Sequence, residues 1–513
     1  MKVFLYFIFL LLPAAVSAQS ASEYQKAQWR QRPVLFDNPV FLADADSINS
    51  GNTGLEYFSE RNRFRDAYMP ERSRGFSVLS ERYLSVKDWV VYGKFSFSKF
   101  EEFQTRMTSM ADPYRDNPYQ IADSSFGDWR KQHYLMQTKI VSPRINRYTR
   151  AGIGIRYEVL NGARQKDPRP LDKTIQIELT PSVMFDISDK WKLGVNGYYK
   201  RLREDLGISL ENHLRPKEIF KLSGLGEYLY NGPIILGALS RTYEGNTFGG
   251  GVSLGYDLAE NKKIRSFFSF KTNTEKATDG TSTPFNAGKH QYNDIEARVA
   301  YTSTAELKEH LLSFHLLNRD ISNTEFIQVY NTATQSYEVI HQAVMNTKIK
   351  TEAGIQYRIL LDRKDRKLNW IAGARTNISA WEELYPSANG LERLTALEGA
   401  LEAGKWIHLR KAQFAIKYTG SYRTAIDSRL QYIPKSFSSN FAAYQIIYPN
   451  FYFNTINQLR NTLDLQYSFS VSGSASQLYL KASYTQFANI GSNAYYPSTL
   501  SNHFYSITFG LFN

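Results

Sequence analysis

The chain has 513 residues, 42% hydrophobic and 14% aromatic, with no cysteine and a formal net charge of +13. Its 35 Tyr and 32 Phe exclude disorder, and the missing cysteine excludes a disulfide scaffold or a thiolate metal site. No apolar run approaches the roughly 20 residues of a membrane helix. Length and the polar mean hydropathy of −0.43 would predict about two to four soluble domains. The pattern along the chain points elsewhere.

Residues 1–18 read as a secretory signal. Lys2 precedes the apolar run Val3 to Leu12, Pro13 breaks it, and Val16 and Ala18 precede a cleavage site before Gln19. No cysteine follows, which excludes a lipid anchor, and the mature chain loses Lys2 to keep +12. Residues 19–52 are polar with scattered aromatics (Tyr24, Trp29, Phe36, Phe41). They are too short for the globular plug of an energised transporter. They read as a periplasmic extension or a segment inserted into a lumen. Residues 53–65 supply the best first strand.

From about residue 75 onward, segments of 10–15 residues alternate apolar and polar with period two. In 173–186, Ile175, Ile177, Leu179, Val183 and Phe185 share one face, and Thr174, Gln176, Glu178, Thr180 and Ser182 the other. In 345–360, Ile349, Ala353, Ile355, Tyr357 and Ile359 oppose Lys348, Lys350, Glu352, Gln356 and Arg358. In 367–380, Leu368, Trp370, Ala372, Ala374 and Ile378 oppose Lys367, Asn369, Arg375, Asn377 and Ser379. Segments 412–423 and 459–471 repeat the pattern. These runs are about twice the usual soluble strand and match a membrane strand of about 9–11 residues.

Connections alternate in length. Short turns fall at 187–189, 259–263, 303–308, 361–366, 408–411 and 472–476. Long polar links fall at 103–130, 204–247, 275–289, 321–344, 426–456 and 489–501. Short turns on one side and long loops on the other predict an all-β, transmembrane, antiparallel up-and-down β-barrel over 53–513. Its short turns would be periplasmic and its long loops extracellular, in the outer membrane of a Gram-negative bacterium. About eighteen strands are expected, with sixteen or twenty as alternatives. The ambiguity lies in 204–247, where Ile219–Leu229 and Ile234–Tyr243 form either two more strands or a folded loop. Aromatics near segment ends (Trp89, Tyr92, Trp191, Tyr198, Tyr199, Trp381, Trp406) suit interfacial girdles.

The inward positions carry both signs of charge. Arg298, Lys348, Lys350, Glu352, Arg358, Arg375, Lys417, Arg460, Asp464 and Lys481 are candidate lumen-lining residues. The loop Asp112 to Asp123 is dense in turn residues, acids and tyrosine, and loops of that length are uncommon unless functional. Its Tyr114, Arg115, Asp116, Tyr119 and Asp123 form a candidate binding or occluding loop. The Tyr- and Asn-rich stretch 439–458 is a second candidate. None of the eight histidines has metal-ligand spacing, Gly249 to Gly251 open a strand rather than a phosphate loop, and no Gly-x-Ser-x-Gly occurs. No catalytic, cofactor or metal site is predicted, and the chain is not read as an enzyme.

The segments Leu55 to Phe58, Gly75 to Tyr83, Asp112 to Asp123 and the closing strand 502–513 resemble an uncharacterised family of outer-membrane β-barrels of the Bacteroidota type. The resemblance spans the chain. It implies fold, location and a setting beside nutrient-uptake systems, and it carries over no ligand residue. The expected partners are outer-membrane lipid, the barrel-assembly machinery that reads an aromatic closing strand, and a surface lipoprotein or TonB-dependent transporter. No nucleic acid is expected. The expected function is a channel or transport-associated barrel for small polar solutes. The alternatives are a non-conducting accessory subunit of an uptake complex and a rim protease or lipase.

Overall fold

The computed structural model describes residues 24–26, 38–44, 49–433 apart from 213, 216, 226 and 235–238, 441–470, and 476–512. The signal read at 1–18 lies outside them, as do 27–37 and 45–48 of the N-terminal extension. In chain order the strands are β1 (Ser50–Asn62), β2 (Arg72–Val86), β3 (Trp89–Thr105), β4 (Ile121–Asp123), β5 (Gly127–Val141), β6 (Thr149–Arg164) and β7 (Arg169–Asp186). Next come β8 (Trp191–Ser209), β9 (Lys217–Gly224), β10 (Glu227–Ile234), β11 (Leu239–Ala259), β12 (Lys262–Asp279), β13 (Phe285–Ala305) and β14 (Lys308–Asn331). The last are β15 (Ser336–Asp362), β16 (Leu368–Tyr385), β17 (Gly390–His408), β18 (Ala412–Gln431), β19 (Asn457–Ser470), β20 (Gln477–Ile490) and β21 (Ser501–Phe512).

Strands β4, β9 and β10 form a small separate sheet, and the other eighteen form one sheet. Each of the eighteen pairs antiparallel with its neighbours, and β21 pairs with β1, with Asn52 opposite Phe512 and Asn62 opposite Asn502. Closure leaves no strand edge in the lipid, where an unpaired N–H or C=O would find no water.

The two faces separate as the alternation requires. On β7, Leu171, Ile175, Ile177 and Phe185 are exposed while Asp172, Thr174, Ser182 and Met184 are buried. On β15, Ile349, Ile355 and Tyr357 point outward. A closed sheet with an apolar outer band and a polar interior is how strands cross a bacterial outer membrane, and this chain is such a Gram-negative outer-membrane barrel.

Three sequence readings need correction. Leu368 was placed on the outer face with Trp370. The register shifts between Leu361, opposite Trp370, and Asp362, opposite Leu368, so Asn369 is an extra residue. That bulge reverses the facing of what precedes it, and Leu368 is buried with Leu360, Ile371, Trp406 and Ala415. The girdle reading fails for four of its seven residues. Trp89 and Trp191 are exposed, whereas Tyr92 and Trp406 are 3% and 4% exposed and face the lumen. Tyr198 lies under the ammonium of Lys271, and the Trp381 indole donates to Glu392. Parity explains this, since Trp89 and Tyr92, three apart, and Tyr198 and Tyr199, adjacent, must face opposite ways.

The third correction concerns the long links. Segments 275–289 and 321–344 are mostly strand, because β14 and β15 run for 24 and 27 residues and only 332–335 turn between them. Beyond the bilayer both faces meet water, so the alternation fades from the sequence while the hydrogen-bond ladder continues. In 204–247, β8 runs on to Ser209 and β11 starts at Leu239. Between them β9 and β10 form a hairpin that is not part of the wall and pairs through β9 with β4. The short turns lie at the end that holds Ser50 and Phe512, the periplasmic end.

A charge at an outward position near mid-bilayer should be costly. Leu179→Lys, in the middle of the outward run Ile175 to Phe185, is expected to destabilise the folded barrel by roughly 2–4 kcal/mol. Thr180→Lys, on the lumen face, should cost clearly less in the same urea titration in lipid vesicles. Equal costs would contradict the facing.

Candidate functional site

At the periplasmic end the lumen receives the chain that precedes the wall. The turn Pro39–Asp44 buries Val40, Phe41 and Leu42 against Tyr83, Tyr92, Val141 and Met184 of the inner wall. Two glycines make room for it. A Cβ at Gly194 would lie 2.4 Å from the Phe41 ring, and one at Gly255 would lie 3.3 Å from it. Asp44 ends the turn between Lys192 and Arg265, whose Nε donates to its Oδ2 at 2.9 Å. Burial opposes ionisation of Asp44, but Arg265, Lys192 and Lys263 outweigh it and hold the carboxyl below its ordinary range.

Upstream, the Tyr24 hydroxyl donates to Glu81 Oε2 at 2.9 Å, and its ring packs with Tyr479 and Phe512. Lys26 pairs with Asp362 and donates to the Arg366 carbonyl at 2.6 Å. The Trp406 indole donates to Gln25 at 2.6 Å.

At the extracellular end the connection between β3 and β5 folds inward. Its short strand β4 pairs with β9, Ile121 opposite Lys221. All five of its candidate residues are held by the chain itself. Arg115 sits between Glu204 at 2.5 Å and Glu275 at 3.0 Å. Asp116 binds Arg319 at 2.8 Å and Lys350 at 2.7 Å. The Tyr119 hydroxyl donates to the Thr324 carbonyl at 2.8 Å, and Asp123 meets Arg164 at 2.8 Å with both side chains fully buried. Tyr114 is exposed, and its hydroxyl donates to Asp66 at 3.1 Å. The stretch after β18 also turns in. Phe441 stacks on Phe220 at 3.8 Å, and Ile446 packs with Ala67, Met107 and Ala122.

Most candidate lumen-lining residues form an inner belt of ion pairs, many between neighbouring strands, which is how both signs of charge coexist there. Lys348 meets Glu383 at 2.8 Å, Arg375 meets Glu398 at 2.9 Å, and Lys481 meets Asp464 at 3.2 Å. Glu402 accepts from Arg358 at 2.6 Å and Lys417 at 3.4 Å, and Arg298 pairs with Glu296. Glu352 shares the inner face of β15 with Lys350 and Arg358. Arg460 differs, since its guanidinium lies 4.9 Å from the Phe487 ring centre.

Beside these inserts lies a cavity of about 880 Å³ whose walls include Phe58, Phe100, Phe504, Glu60, Arg423 and Arg460. Asp66, Met69 and Pro70 of the β1–β2 connection, Tyr114 and Phe453 also border it. The sequence reading missed the phenylalanines. Their signal was an apolar residue at an inward position, which breaks the alternation.

Attachment of the N-terminal turn should depend on pH in one direction. The carboxyl of Asp44 is depressed, so its contribution is complete above about pH 4 and is lost as pH falls through the lower folded value. A nitroxide at position 43 should stay immobile from neutral pH down to about pH 5 and gain mobility only in stronger acid. Asp44→Asn should mobilise it at neutral pH. An immobile label in that variant would show that the ion pairs do not hold the turn.

No curated protein matches the chain. Among solved structures it is similar to a FadL homologue of Pseudomonas aeruginosa, at 10% identity over 93% of this chain and 92% of that one, with a TM-score of 0.31. It is also similar to the ferric yersiniabactin uptake receptor of Yersinia pestis, at 8% identity over 91% and 81%, with a TM-score of 0.38. The toluene transporter TbuX of Ralstonia pickettii matches at 9% identity over 93% and 92%, with a TM-score of 0.32. The model of DUF6850, a family of unknown function, matches residues 39–513. The chain therefore belongs to that family.

Proposed function

We propose that the barrel is a gated passage for small solutes. In this reading the N-terminal residues 24–26 and 38–44 are the gate, at the periplasmic side, and the β3–β5 connection is a fixed constriction at the extracellular side. The observation that carries it is that the lumen is crossed by stretches of chain that belong to no wall strand. A wall of this strand number is wide enough to leave an aqueous channel unless something occupies it. The N-terminal residues are fastened by ion pairs and hydrogen bonds at Asp44 and Lys26, with an apolar contact at Val40 to Leu42. The β3–β5 connection is held by the ion pairs of Asp116 and Arg115 and also by an apolar cluster in which Met110, Tyr119 and Ile121 pack with Leu202, Leu206 and Tyr243. The polar fastenings of the N-terminal residues exchange for water more readily than such an apolar interface does.

One observation favours a second reading, an accessory subunit that docks a surface lipoprotein or a TonB-dependent transporter. Pairing of β13 with β14 ends at Thr324, and pairing of β15 with β16 begins at Thr347. The hairpin beyond is an arm with Ile327, Val329, Val339 and Ile340 exposed.

Planar-bilayer recording separates the two. The full chain should give rare, brief openings, and the chain lacking residues 24–44 a steady conductance at least ten times larger on average. A truncated barrel that folds and stays silent would overturn the passage and leave the accessory reading.

A further inference from the structure

We propose that the cavity of about 880 Å³ under the β1–β2 connection binds an aromatic carboxylate. This deepens the passage reading by naming a class of solute. Its volume falls within the range of pockets that take drug-sized ligands.

The first observation is charge without a partner. The lumen cations Lys348, Lys350, Arg358, Arg375, Lys417, Lys481 and Arg298 each have a carboxylate within ion-pair distance. Among the described residues, Arg423 and Arg460 have none. They stand on the adjacent strands β18 and β19, and both line the cavity. Arg423 donates one N–H to the Asn454 carbonyl at 2.6 Å, and Arg460 rests beside Phe487. The remaining N–H groups of two guanidiniums that border one cavity suit a carboxylate, whose two oxygens match the guanidinium fork.

Glu398 stands opposite Arg423 in the β17–β18 register, but it and the other cavity carboxylates have closer donors. Glu60 accepts from the Ser73 hydroxyl at 2.9 Å, Glu102 pairs with Lys131 at 2.7 Å, and Glu398 pairs with Arg375. Asp66 accepts from the Tyr68 and Met69 amides and from Tyr114.

The second observation is the aromatic floor. Next to the guanidiniums the wall turns phenyl. Phe58 stacks with Phe504 at 6.2 Å and 24°, and meets Phe100 at 6.3 Å and 53°. Phe487, opposite Arg460 in the β19–β20 register, links the cationic side to this floor. Rings at inward positions of a water-facing wall leave apolar area that a flat aromatic body would cover. The sequence around the wall therefore runs from guanidinium to phenyl, the polarity of an aryl acid.

The test is calorimetric titration of the full chain in detergent with 3-phenylpropionate, 3-phenylpropionamide and acetate. The acid should bind, and the amide and acetate should each bind at least tenfold more weakly. That comparison needs no variant. Arg423→Gln and Arg460→Gln should each weaken the acid at least tenfold and leave the amide unchanged, and Arg460→Lys should recover part of the loss. Tyr114→Phe, which frees the tie to Asp66, should speed binding and keep the preference for acid. Equal binding of acid and amide would overturn the proposal, as would absence of binding in both the full chain and Tyr114→Phe. Gate-dependent conductance without binding would remove the ligand and leave the passage. Binding without conductance in the truncated barrel would remove the passage and leave the ligand.

Discussion

Every backbone N–H and C=O in hydrocarbon must be answered by another strand, and the rest of this molecule depends on that demand. The pairing of β21 with β1 meets it by removing the last edge. Eighteen strands then enclose more space than their inward side chains fill. Closure thus creates the lumen, and the lumen must be filled either by water or by other parts of the chain. Here the chain supplies Phe41 and Leu42 from below and the β3–β5 connection from above. The absence of cysteine is consistent with this economy, because the cross-link that holds the ends together is a row of hydrogen bonds.

The electrostatics follow from the same geometry. Inward positions on neighbouring antiparallel strands lie side by side, so opposite charges pair across the ladder and a polar lumen needs few ordered waters to satisfy it. Against that background, an unmatched pair such as Arg423 and Arg460 stands out, and so do rings such as Phe58 and Phe504 where polar residues would suffice. Departures from a regular wall are where recognition is sought, since regularity alone serves only stability.

What the sequence disclosed was whatever period two governs. The faces of 173–186 and 345–360 could be read directly, and with them the barrel, its polarity and the inward side of Lys348, Lys350 and Arg358. What it concealed has three physical origins. An inserted residue such as Asn369 reverses facing with no compositional mark. Strand that rises above the bilayer, as in β14 and β15, no longer alternates because both faces are wet. Contacts across the lumen, such as Tyr119 with Thr324 or Phe41 with Gly194, join residues far apart in sequence through a space that exists only after closure. The loop residues Arg115, Asp116 and Asp123, singled out for their density of charge and turns, are paired with Glu204, Lys350 and Arg164 of the wall.

The central claim is that the N-terminal turn moves to open the lumen, and a reversible tether tests it most directly. A Cβ built at Gly154 would lie 2.9 Å from Pro39 Cγ, so positions 39 and 154 adjoin, and no native cysteine interferes with a disulfide placed there. Single-channel recording of the Pro39→Cys, Gly154→Cys chain should show openings in reductant, none after oxidation, and their return on renewed reduction. Openings that persist unchanged in the oxidised chain would contradict the account.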